Sequence, residues 1–206
     1  MKYLNSLIIK FLVCMLAFFV CQPSAWALTT IKRDFNELLQ LSDIVLIGTV
    51  SEQKGRWRDP VAQDFIETVI TFNELEVLKG TITDSQYDVV IAGGSMPPFS
   101  QRVLGSPRFE LKRRYVLFIK DNHKVLFPFV GVHDGIFVID ESGEQRLVKT
   151  LSGQVVTAIQ GDRVIKEKLS AKSLSSSVLN ASEFFSIITQ RLRDMRATEA
   201  EAVEAQ

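Results

Sequence analysis

Residues 65–80 read FIETVITFNELEVLKG, and their spacing decides the fold. Ile66, Thr68, Ile70 and Phe72 alternate and so share one face of a strand. Beyond Phe72 the apolar set jumps to Leu75 and Val77, an odd interval that moves it to the opposite face. A slip of one residue flips every side chain, so a β-bulge near Asn73-Glu74 is the natural repair. A long strand that bends at a bulge suits a small closed barrel better than a flat sheet.

Upstream, residues 41–60 read LSDIVLIGTVSEQKGRWRDP. The β-branched run Ile44, Val45, Ile47, Thr49 and Val50 predicts a strand buried on much of both faces. Gly48 inside it marks a bulge or a close backbone approach. Gly55 and Pro60 read as breakers of a loop over 52–64. Before the strand, Ile31, Phe35, Leu38 and Leu39 fall on one face of a short helix that stops near Ser42.

Downstream, residues 87–94 (YDVVIAGG) and 113–120 (RRYVLFIK) predict two strands joined by a long irregular loop containing Pro97, Pro98, Gly105 and Pro107. Residues 124–131 (KVLFPFVG) and 135–140 (GIFVID) predict two more. Residues 144–165 read as strands about Ser152-Gly153, followed by a turn at Gly161-Asp162. Short strands at this spacing argue for a sandwich or barrel. The serine-rich link 170–177 precedes a helix from Asn180. Asn180 and Glu183 have capping-box spacing, and Phe184, Ile187, Ile188, Leu192 and Met195 form one apolar stripe suited to packing on the barrel.

The amino terminus has the layout of a secretory signal. Lys2 and Lys10 precede an apolar run ended by Gln22-Pro23, and Ala25-Trp26-Ala27 is a small-x-small cleavage pattern. Cleavage before Leu28 would remove both cysteines, Cys14 and Cys21, leaving neither disulfide nor thiolate. It would leave 22 basic against 24 acidic residues, a net charge of −2. That balance gives no electrostatic case for nucleic acid or for an anionic membrane. The expected organisation is a signal peptide (1–27), an OB-like β-barrel domain (28–170), a linker and docked helix (171–198) and an acidic flexible tail (199–206). The fold class is mainly β: an OB-like closed barrel with a short N-terminal helix and a C-terminal amphipathic helix. The expected location is the periplasm or the extracellular medium.

The order helix, strand, polar loop, long strand over 42–80, with SDIVLIGTVSEQ and then ETVITFNELEVLKG, resembles the opening of the netrin-like module of tissue inhibitors of metalloproteinases. The later pieces VVIAGGS, VLGSPRFELKRRYVLFI, FVGVHDGIFVI and ASEFFSIITQRL are similar to uncharacterised exported bacterial proteins with the same opening. The first resemblance implies an OB-type barrel. It also implies a free N-terminus, here Leu28-Thr29, whose amine and carbonyl could chelate a protease zinc. That family holds its terminus with disulfides, which this chain lacks, and a loose terminus must be ordered on binding.

No residue set reads as catalytic, cofactor-binding or metal-ligating. His123 and His133 are the only histidines, both at strand turns beside Asp121, Asp134 and Asp140, where polar residues are expected anyway. Residues 92–98 (AGGSMPP) are glycine-rich but open no helix, so they are no phosphate cradle. Ser95 and Ser106 lack the strand–turn–helix context of a nucleophile elbow. Arg56, Trp57 and Arg58 in the 52–64 loop form the most suggestive cluster, either a recognition patch or a cap on one barrel end. These residues point to an exported, non-catalytic binding module. Its partner would be a protein, with a metalloprotease as the sharp version, or a saccharide, gripped through Leu28, Thr29, Arg56, Trp57 and Arg58. The alternatives are a small extracytoplasmic hydrolase with convergent carboxylates, or a structural component of an envelope assembly.

Overall fold

The computed structural model describes residues 33–168 and 178–204. The signal segment, Leu28-Thr29, Ile31 and the serine-rich link lie outside them. Helix α1 (Phe35–Leu41) starts where Asp34 accepts from the Glu37 backbone N–H and Glu37 accepts from that of Asp34, a reciprocal cap. Its last turn is closed by Lys79, whose ammonium donates to the carbonyls of Leu39 (2.6 Å) and Gln40 (3.1 Å).

Ten strands follow: β1 (Ile44–Trp57), β2 (Ile66–Lys79), β3 (Tyr87–Ala92), β4 (Gly94–Met96), β5 (Phe99–Gln101), β6 (Arg114–Ile119), β7 (Ile136–Asp140), β8 (Leu147–Thr150), β9 (Val155–Gln160) and β10 (Arg163–Glu167). Eight form one antiparallel sheet in the order β10-β9-β8-β7-β6-β1-β2-β3, and β4-β5 is a separate hairpin. Strand β6 returns after a long connection to lie beside β1, so β6-β1-β2-β3 is a Greek key.

The bulge expected from the β2 spacing is present. Ile47 pairs with Glu76 but Thr49 with Asn73, so β2 carries one extra residue opposite Gly48, and Glu74 there has φ +51°. A Cβ on Gly48 would touch Leu75 Cδ2 at 3.0 Å and Phe72 Cβ at 3.2 Å, which is the close approach a glycine permits. A second irregularity adds a residue to β1 between Val50 and Glu52. It shifts the phase of β1, so Gln53, Gly55 and Trp57 continue the face begun by Leu46 and Val50.

The middle of the sheet is buried on both sides. One face of β1 and β6–β9 is covered by α1 and by α2 (Ala181–Glu204), through a cluster that includes Phe35, Leu38, Val45, Ile47, Phe118, Phe137, Phe184 and Ile188. Phe184 sits between Phe35 and Phe137, with ring centroids 5.9 and 5.1 Å away. The opposite face of β1, β2, β3, β6 and β7 curls over a second cluster built on Leu46, Ile70, Phe72, Val89, Tyr115 and Leu117. Phe109 and Phe129, from loops, close it; Phe109 lies 5.0 Å from Tyr115 and 5.7 Å from Phe129.

Several expectations are revised. Residues 52–57 continue β1 in place of a loop, because they pair with β2 as far as Trp57↔Ile66. Residues 124–131 do not form a strand. Pro128 has no N–H to give a ladder, and the segment instead supplies Phe127 and Phe129 to the inner cluster and one bridge, Ile119↔Phe129. Residues 122–126 cover the outer edge of β3: Ala92 N–H donates to Leu126 O, and Val90 N–H to the Asn122 side chain. Among the described residues β3 and β10 each pair on one side only, so the ladder has two ends in place of the expected ring. Helix α2 is capped by Asn180 and Glu183 as expected, and it runs on through Glu204, across residues read as a flexible tail.

At the far end of the sheet Asp140 accepts from Lys149 and from the Ser142 hydroxyl at 2.7 Å. The Lys149 hydrogen bond, then those from Ser142, hold the carboxyl well below its usual range against the opposing effect of burial. A carboxyl depressed on folding contributes stability above its unfolded pKa of about 3.9 and loses it as pH falls toward the folded value. Asp140→Asn is therefore expected to cost about 1 kcal/mol at pH 7. That difference should shrink steadily below about pH 4. Urea unfolding of both proteins at neutral and acid pH checks it.

Candidate functional site

The distal ends of β1 and β2 and the turn between them form an arm. Arg58 N–H donates to Phe65 O at 2.9 Å, and the Asp59 carboxylate accepts from the Val61 and Ala62 N–H groups. Those two backbone donors hold the Asp59 carboxyl below its usual pKa. The turn is thus ordered, and it carries Val61, 93% exposed, at its tip.

Alternation divides the arm into two faces. Arg56 and Arg58 lie on one, opposite Glu67, which is only 7% exposed. Arg56 Nε and Nη2 both reach Glu67 Oε1 at 2.8 Å, and Arg58 Nε reaches Oε2 at 3.3 Å. One carboxylate therefore orients two guanidiniums, and the group keeps a net positive charge. Both arginine side chains are about half exposed (51% and 48%), so their remaining donors face solvent. Arg58 also lies 4.3 Å from the Phe65 ring centroid, a cation–π contact that fixes its plane.

On the other face Trp57 is half-buried against Phe99 of the β4-β5 hairpin, ring centroids 5.4 Å apart. Phe99 itself is 53% exposed. The hairpin crosses directly over Gly55, where a Cβ would stand 2.3 Å from Ser95 O. Gly55 is thus required by a backbone crossing and does not break the strand.

Beneath the hairpin lies a cavity of about 540 Å³ between Gln53 and Thr68 on the arm and the 102–109 loop. Its frame is pinned by internal hydrogen bonds. Gln53 donates to Phe109 O (3.0 Å), Thr68 to Gly93 O (2.7 Å) and Ser106 to Ala92 O (3.1 Å), while Ile66 N–H donates to the Gln101 side chain (2.6 Å).

The structure thus brings Arg56, Trp57 and Arg58 to one arm but places them on two faces. Leu28 and Thr29 lie outside the described residues. Glu67, Phe65, Phe99, Arg102 and Arg108 were not singled out from the sequence. Glu67 had a usable signal, a carboxylate directly across an arginine-rich strand. Phe99 had none, because a three-residue strand after two prolines looks like loop. His133 Nε2 lies 3.1 Å from Gly105 O, and Asp134 pairs with Lys166. Among the described residues no group of three His, Cys, Asp or Glu side chains comes together, and no helix is long and apolar enough to cross a membrane.

Comparison with protein-family models, with curated proteins and with solved structures finds no match for this chain.

Proposed function

We propose that this protein is a non-catalytic binding module working outside the cytoplasm, and that the β1-β2 arm with the β4-β5 hairpin is its recognition surface. The observation that carries this reading is the pairing of Trp57 and half-exposed Phe99 on one face with two oriented, half-exposed arginines on the other. Tryptophan and arginine supply the largest single-residue contributions to protein interfaces, because they bury much area at fixed geometry. The buried Glu67 carboxylate removes much of the freedom these arginines would otherwise lose on binding. A protein partner suits this arrangement best; a saccharide stacked on Trp57 is the other candidate. The structural role in an envelope assembly would use the same surface.

The OB-like reading is retained for the five strands β3-β2-β1-β6-β7. Their Greek-key order, the bulged β2 and the single cluster they enclose are the features of a partly open barrel of that type. The metalloprotease version rests on this and on the resemblance of residues 42–80. It is tested by inhibition assays on a broad set of zinc proteases, using protein beginning at Leu28 and protein with one residue added before it. Inhibition by the first and not the second is expected on that version; no effect from either removes it. For the general reading, capture of partners from the extracytoplasmic fraction should be lost together in Trp57→Ala and Arg56→Ala/Arg58→Ala, with folding intact by circular dichroism. Undiminished capture by both variants would overturn it.

A further inference from the structure

The cavity beneath the hairpin differs in chemistry from the arm. Arg102 and Arg108 line it, and no acidic side chain does. Neither arginine has an ion-pair partner among the described residues. The other polar groups of the wall are mostly spent on holding the frame: the Gln53, Thr68 and Ser106 donors each serve a backbone carbonyl. The charged donors of the wall are therefore the two guanidiniums, with the Ser95 and Ser100 hydroxyls and the Gln101 amide as neutral groups beside them. The remaining wall is apolar, with Ile91, Val103 and Phe109 along it and Leu104, 81% exposed, at its lip.

We propose that this cavity is a binding site for an organic carboxylate, its head on Arg102 and Arg108 and its apolar body against Val103, Leu104 and Phe109. The volume lies within the range of small-molecule sites. Guanidinium forks match a carboxylate in two-point geometry. A bare phosphate is the poorer match. Phosphate sites gather backbone N–H groups at a helix N-terminus or nest, and here the Gly93 and Ser106 N–H groups already donate to Ile66 O and Val103 O. The carboxylate can belong to a free small acid or to the C-terminus of a peptide; both present the same head. This site shares the Gln53 and Thr68 wall with the arm but includes none of Arg56, Trp57 and Arg58, and it does not depend on the partner proposed for them.

The test is a titration of the purified protein, followed through the arginine Nε–H resonances. The probes are phenylacetate, its neutral counterpart phenylacetamide, inorganic phosphate, and the peptide Gly-Gly-Phe with a free or an amidated C-terminus. Phenylacetate is expected to bind saturably and to move the Arg102 and Arg108 signals, at least about tenfold more tightly than phenylacetamide. Arg102→Gln/Arg108→Gln should lose that tenfold. Arg102→Lys/Arg108→Lys, which keeps the charge but not the fork, should fall between. Both arginines are exposed, so the variants should fold, and their other resonances report whether they do. Val61→Ser, at the exposed tip of the arm and outside the cavity lining, should leave phenylacetate affinity unchanged. Binding of the free-acid peptide as well as phenylacetate assigns the site to chain ends, and phenylacetate alone assigns it to small acids. Equal affinity for acid and amide, phosphate binding as tight as phenylacetate, no saturable binding of any carboxylate, or an unaffected Gln variant would each overturn the proposal.

Discussion

Phe184→Ala is expected to lower the unfolding free energy by about 3–5 kcal/mol, against less than about 0.5 kcal/mol for a surface change on the same helix such as Arg193→Ala. Phe184 is fully buried, and its ring lies against both Phe35 and Phe137, so truncation opens a cavity where α1, α2 and the sheet meet. Little can collapse into it, because the Asn180–Glu183 cap and the Arg191 contacts to Asn36, Asp162 and Gly161 hold α2 on both sides of the gap. Urea unfolding monitored by circular dichroism measures the loss. A cost below about 1 kcal/mol would mean that α2 is not docked on this face.

The second large effect falls on function. Gly55→Ala should cost about 1–3 kcal/mol, since the methyl group would meet the Ser95 carbonyl and that crossing must open. The movement is not confined to Ser95. It tilts the β4-β5 hairpin and carries Phe99 off Trp57, so partner capture should fall at least about tenfold while both core clusters persist. Gly153→Ala is the matched control. Its Cβ would meet nothing within 4 Å, although its φ of +82° strains any replacement, so it should lose stability without losing capture.

Much of this fold was legible because local patterns and tertiary structure agree. The odd interval after Phe72 could be repaired only by an extra residue, and Glu74 provides it. The Asn180–Glu183 spacing and the Phe184 stripe marked α2 and its buried side. What stayed hidden depends on partners distant in the chain. Residues 52–57 carry no apolar alternation and hold a glycine, so nothing local says that they pair with β2; the reason for Gly55 lies forty residues away, at Ser95. Residues 124–131 are as apolar as a strand because two of their phenylalanines fill a core, and Pro128 with the turn at Asp121–His123 keeps the backbone off the ladder. The arm cluster was visible as a composition, Arg-Trp-Arg, but not as two faces. Separating them needed the phase shift after Val50 and the buried Glu67 carboxylate. The cavity had no sequence signal, since its arginines sit in one irregular loop and only the fold sets that loop against Gln53 and Thr68.

The most direct test of the account is site-specific photo-crosslinking in cells that express the protein. A photoreactive phenylalanine analogue replaces Phe99, beside Trp57, in one variant and Arg193, on the outer side of α2, in another. The account predicts a discrete higher-mass adduct from position 99 and none from position 193. Adducts from position 193 with none from position 99 would contradict it, because the recognition surface would then lie on the helix side of the sheet.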